Sequence, residues 1–272
     1  LLGKNDFRKF TPKKKSMSTV IEQGSVKSEI KNGISIIEFY HPMSNSLPGK
    51  ILNKLAEEIK IAGENSAVKV IVLRSEGEKA FCAGASFDEL ISIKDLETGK
   101  EFFSGFARVI NAIRKAPKFV LARVQGKAVG GGVGLASAAD YTFAHESASV
   151  KLSELAVGIG PFVVGPAVER KIGTSAFTQL SIDATEWRSA EWAKEKGLYT
   201  SVFSSIEEMD KSIDKLSTTL STSNPEAMMM LKKIFWKGTE DWDTLLIERA
   251  GMSGKLVLSE FTINAINKFK SK

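Results

Sequence analysis

Twice along this chain an apolar run of strand length is followed by a glycine-rich loop and then by residues at helical spacing. Residues 68–73 and 119–124 are the runs, EGEKAFCAGAS and QGKAVGGGVG are the loops, and helices are expected over 95–115 and 132–140. Strand, glycine-rich loop and helix recur in this order, so the fold class is α/β, with an all-α end. Around this unit the pattern is equally regular. Residues 26–30 and 34–40 flank Asn32-Gly33 as a hairpin, and Ser46 and Pro48 start an amphipathic helix through Ile51, Leu52, Leu55 and Ile59. Short strands are expected at 141–144, 148–152 and 199–203, and a helix at 187–197. From Ile206 onward only helical spacing remains.

A chain of 272 residues, 43% of them hydrophobic, can bury a full core. No apolar run approaches the roughly 20 residues that span a bilayer, and the start LLGKNDFRKFTPKKKSM is basic without an apolar signal region, so neither membrane nor secretion is expected. Met17 reads as a natural start. One cysteine, Cys82, rules out a disulfide framework within the chain and suits a reducing compartment, which makes the cytoplasm the expected location. Formal charge is +6, with part of the excess in Lys13 to Lys15 and in Lys268, Lys270 and Lys272. No aromatic-basic module accompanies it, which argues for solvated termini and against nucleic acid.

A glycine-rich turn between strand and helix suggests phosphate binding, and the spacing excludes it. From Gly126 a Walker loop would need Lys and Ser or Thr at Gly132 and Val133, and the dinucleotide pattern would need glycine at Leu135 or Ser137. No zinc spacing exists either, so no metal is expected. What remains is an oxyanion hole. Glycines let a backbone N–H reach a carbonyl oxygen, and the helix that follows adds partial positive charge. Gly131 is the candidate donor in one loop and Ala85 in the other; tight packing of the turn explains the glycines equally well.

The segments EKAFCAGASFDEL, VQGKAVGGGVGLASAADYTFA and KLSELAVGIGPFVVGPAVERKIG, in that order, resemble the enoyl-CoA hydratase/isomerase, or crotonase, family. The resemblance implies a spiral of ββα turns over 17–205 and a helical oligomerisation region over 206–272 that builds a homotrimer or a dimer of trimers, while residues 1–16 read from their own composition as a disordered basic leader. It also implies an acyl-CoA thioester substrate, coenzyme A being part of that substrate and not a cofactor. The thioester carbonyl would be held by the N–H groups of Ala85 and Gly131, with Asn45, Ala83 and Gly130 as further CoA contacts. Members of this family carry out their chemistry on a thioester enolate.

The resemblance further implies where acid and base belong. Typical hydratases carry two glutamates, one three residues after the middle glycine and one in the segment matching KLSELAVG. The first position is Gly134 here and the second is Glu154. The reading that follows is hydration of a 2-enoyl-CoA, with the 3-methylglutaconyl ester as a candidate substrate and Glu154 as acid and base. Isomerisation of a 3-enoyl-CoA by Glu154 alone and a non-catalytic CoA-ester binder are the alternatives. Asp88 and Glu89 could supply a second carboxylate or simply complement a helix dipole. Cys82 reads as a buried filler, His41 and His145 as solvent-facing, Met228 to Met230 as packing or interface residues, and the four tryptophans as packing residues on helices.

Overall fold

The computed structural model describes residues 23–270; the expected leader 1–16 and Met17 lie outside the described residues. Strands β1 (Ser25–Lys31) and β2 (Ile34–Tyr40) pair antiparallel about Asn32 and Gly33, whose φ values of 51° and 79° form the primed turn that suits a twisted hairpin. Three turns of chain follow. The first holds β3 (Ser46–Leu47) and α1 (Gly49–Glu64), and the second β4 (Val70–Ser75), β5 (Ala80–Cys82), β6 (Gly84–Ala85), α2 (Phe87–Ser92) and α3 (Leu96–Lys115). The third holds β7 (Phe119–Val124), β8 (Lys127–Val129) and α4 (Gly131–Ala138). After them come β9 (Tyr141–His145), β10 (Val150–Lys151), α5 (Gly165–Ile182), α6 (Ala190–Glu195) and β11 (Ser201–Phe203). Four helices close the chain: α7 (Ile206–Ser221), α8 (Pro225–Phe235), α9 (Trp242–Leu256) and α10 (Glu260–Lys270).

The second and third turns, and the β9–β10 segment after them, each place one strand in each of two sheets, while β3 of the first turn pairs with β6. A six-stranded sheet runs β1-β2-β4-β7-β9-β11, parallel after the hairpin, and a three-stranded parallel sheet runs β10-β8-β5. This is the expected spiral of ββα turns. Its inner strands β4 and β7 begin as unbroken apolar runs, Val70–Leu73 and Phe119–Ala122, because the large sheet is covered there on both faces. Leu52, Leu55, Ile59 and Ile110 from α1 and α3 cover one face, and Met209 and Ile213 from α7 cover Val70, Val72 and Leu121 on the other. No helix among the described residues is long and apolar enough to cross a membrane.

Several boundaries differ from expectation for one reason: the determining partner is remote in sequence. Helix α1 begins at Gly49, and Ser46 belongs to a strand. The Gly49 N–H donates instead to Glu89 Oε2 at 2.8 Å, a cap from another turn of the spiral. The helix expected over 187–197 shrinks to α6, capped by Ser189. That leaves Trp187 on an exposed loop, with the Lys127 and Lys151 ammonium groups 5.0 and 4.5 Å from its ring centre.

The C-terminal helices fold back onto the same chain. A Cβ on Gly254 of α9 would lie 2.6 Å from the Lys100 nitrogen of α3, so the two backbones touch. Helix α8 is tied down by a buried charge: Asp140 Oδ2 accepts from Lys232 Nζ at 2.5 Å and from Val120 N–H at 2.8 Å, and Oδ1 accepts from Trp236 Nε1 at 2.9 Å.

Candidate active site

The two glycine-containing loops meet backbone to backbone. Strand β6 lies beside β3 in a register set by Ser86 N–H donating to Leu47 O at 3.0 Å. Successive N–H groups of a strand point to opposite sides, so that of Ala85 faces away from β3. In the other loop Gly130 takes φ 52°, ψ −114°, and its N–H donates to Lys151 O at 2.9 Å, which turns the chain into α4. Gly131 is the first residue of that helix, where an N–H has no intrahelical acceptor. A Cβ on Gly84 would stand 3.7 Å from the Gly131 nitrogen, so the candidate donors Ala85 and Gly131 lie on adjoining backbones.

Glu154 enters from the third side. It precedes a 3-10 turn (Leu155–Val157), and its carbonyl accepts from Val157 N–H at 3.2 Å and Ile159 N–H at 3.0 Å. Its carboxylate rests on Gly130, where a Cβ would be 2.9 Å from Oε1. Oε2 is sealed from solvent and has no hydrogen-bond partner among the described residues. Burial raises the carboxyl pKa from 4.5 to about 7, the range a general base needs.

A cavity of about 610 Å³ joins these groups, lined by Ala83, Ala85, Gly130, Gly131 and Glu154. Its far wall is apolar, built from Phe103, Phe106, Val157, Phe162 and Val164, and its rim carries His41, Ser44, Ser46 and Asp88. None of the described residues lining it is Lys or Arg. The wall also explains Gly134. A Cβ there would lie 2.5 Å from Val164 Cγ1 and 3.6 Å from Ile110 Cδ1, so the place of a second carboxylate is filled by aliphatic carbon.

Five of the six residues singled out in sequence line this cavity. Asn45 does not: it is buried, its Oδ1 accepts from His41 N–H, and its Nδ2 donates to Glu76 O and Ala80 O. It holds the rim loop in shape while Ser44 and Ser46 face the space. Of the two acids on α2, Glu89 caps α1 and Asp88 lies on the rim. His41 is on the rim too, its pKa lowered by burial and partly restored by the charges of Asp88 and Glu89. Cys82 is buried, and burial pushes its thiol up to about 12, which leaves it unreactive. Sequence reasoning missed Phe106, on the buried face of α3, and Val164, the residue that precedes α5. The available signal for Phe106 was Gly131 itself, since any Cβ there would strike the Phe106 ring at 2.2 Å.

Residues 29–257 match the family model for enoyl-CoA hydratase/isomerase. The chain belongs to the enoyl-CoA hydratase/isomerase family. It is an enzyme of the hydratase and isomerase type, and this crotonase family acts on acyl-CoA thioesters. Among its relatives is the putative enoyl-CoA hydratase/isomerase YngF of Bacillus subtilis, 31% identical over 219 residues, 79% of this chain and 83% of that one. The mitochondrial methylglutaconyl-CoA hydratase of Homo sapiens is 32% identical over 200 residues, 72% of this chain and 58% of that one. The crystal structure of enoyl-CoA hydratase from Bacillus halodurans has the same crotonase fold, with a TM-score of 0.82 at 21% identity, covering 89% of this chain and 99% of the other.

Proposed function

We propose that this enzyme hydrates 2-enoyl-CoA esters with an apolar acyl chain, using Glu154 as its acid and base. The observation that carries the reading is the Glu154 carboxylate, buried, without a partner at Oε2, in one cavity with the N–H groups of Ala85 and Gly131. Those two N–H groups donate hydrogen bonds to the thioester oxygen as it gains negative charge, each worth roughly 3 to 4 kcal/mol in the transition state. Ionised Glu154 takes a proton from water as the water oxygen bonds to C3. It then gives that proton to C2, so OH and H from one water are added and the carboxylate is regenerated. The phenylalanines of the far wall suit an apolar chain and exclude bulk water.

A second reading, double-bond isomerisation, is favoured by Val164. With aliphatic carbon in the place of a second carboxylate, Glu154 would remove a proton at C2 of a 3-enoyl ester and return it at C4. The 3-methylglutaconyl ester is supported by the likeness to the human relative, but its terminal carboxylate would meet no Lys or Arg on this chain's cavity wall. One experiment separates these readings. The protein is incubated with 2-enoyl-, 3-enoyl- and 3-methylglutaconyl-CoA, and products are followed by mass and by the ultraviolet absorbance of the conjugated 2-enoyl thioester. Gain of one water on apolar 2-enoyl esters is expected; conversion of the 3-enoyl ester without mass change would install isomerisation instead, and no change with any ester would overturn both.

A further inference from the structure

We infer that the C-terminal helix α10 positions Glu154, acting through Thr262 and Ile266 on the turn that carries it. The inference rests on the reading of Glu154 as acid and base. The first turn of α10 lies directly on that turn of chain: a Cβ on Gly158 would be 2.5 Å from Phe261 Cδ1 and 2.6 Å from Thr262 Oγ1. Thr262 is 0% exposed and Phe261 is 68% exposed, so Thr262 marks the face by which α10 docks. Its placement is fixed locally, since Thr262 N–H donates to Ser259 Oγ at 3.3 Å and the two hydroxyls lie 3.1 Å apart.

One residue further along, Ile159 is buried in a small cluster with Val257 and Ile266, against which Leu90, Ile93, Phe103 and Val157 pack. This cluster is separate from the main core, and α10 supplies part of it through Ile266. The Ile159 N–H is also one of the two that donate to the Glu154 carbonyl, at 3.0 Å. A continuous path therefore runs from Thr262 and Ile266, through Gly158 and Ile159, to the backbone of Glu154. The carboxylate at its end has Gly130 on one side and nothing holding Oε2. With Oε2 unpartnered and only the backbone of Glu154 itself bonding the carboxyl, its position depends on how firmly the turn behind it is held. Helix α10 touches none of the reacting atoms and closes the turn from behind. The other ionisable groups on the cavity wall are His41 and Asp88, and neither sets the Glu154 pKa, which follows from burial.

The test compares wild type with Ile266→Ala, Ile266→Leu and Thr262→Ala in the full chain, on the ester that wild type turns over best. For Ile266→Ala and Thr262→Ala we expect kcat to fall roughly ten- to hundredfold, as misplacement of a reacting group by a fraction of an ångström does, with KM changed less than about threefold. The acidic limb of kcat against pH should move below about 7 as water reaches the loosened carboxylate, and Ile266→Leu should recover most of the loss. Amide exchange over 154–160, measured on Ile266→Leu as well in case Ile266→Ala folds poorly, should rise in proportion to the loss of kcat. Wild-type kcat and an unmoved limb in variants whose segment 154–160 exchanges faster would overturn the inference. Retained turnover in Glu154→Gln would overturn the underlying reading instead, so the two failures are distinguishable.

Discussion

Gly130 shapes the site at the level of a single residue, because its backbone turns the chain into α4 and its missing side chain makes room for the Glu154 carboxylate. Gly130→Ala would combine a strained φ of 52° with a methyl 2.9 Å from Oε1. The expected result is a loss of at least about a hundredfold in kcat, measured on a protein that still binds CoA esters. Glu154 predicts its own pH behaviour. A base must be ionised, so kcat should climb through pH 7 and level above it, and Glu154→Gln should lose roughly 10² to 10⁴ of turnover while keeping ester affinity. Stability moves the opposite way. A carboxyl raised from 4.5 to about 7 binds its proton more tightly in the folded chain, so stability falls as pH rises across that window. Glu154→Gln should therefore be more stable than wild type by about 1 to 3 kcal/mol at pH 8, the gain vanishing below pH 4.5, as measured by denaturant unfolding.

Among the elements, α8 is the one held by charge. Lys232→Ala would leave the buried Asp140 side chain without its ammonium partner, with Val120 N–H and Trp236 Nε1 as its remaining short contacts, and should cost about 3 to 5 kcal/mol. Denaturant titration checks this, and Asp140→Asn combined with Lys232→Met should recover part of the loss. The pair spans 92 residues and leaves no local trace, so sequence reading passed over it. What was legible had short-range causes: the Asn32-Gly33 hairpin, the helix capped by Asp95, the buried runs of β4 and β7, and the two loops that bring Ala85 beside Gly131. Where a distant group decides, the local pattern misled. Glu89 took the role assigned to Ser46, and Asn45 turned inward to three backbone partners. Trp187 found two lysines instead of a helix.

For the molecule as a whole, the helical region expected to build an oligomer also completes the fold of its own chain, through α9 on α3 and α10 on the Glu154 turn. Apolar side chains nonetheless stay exposed there, among them Met230, Ile234 and Phe235 on α8 and Phe261 on α10. A homotrimer, alone or as a dimer of trimers, is the proposed assembly that covers them. Sedimentation should give a mass of three or six chains of 29.6 kDa, and a monomer at micromolar concentration would reject it. The contact between Gly134 and Val164 has a bearing on how such a site can change over generations. A glutamate introduced at 134 alone would collide with aliphatic carbon 2.5 Å from its own Cβ, whereas a smaller residue at 164 opens the space first. The two substitutions are therefore ordered: position 164 must shrink before position 134 can grow, and a lineage with this wall in place reaches a second carboxylate only by that route.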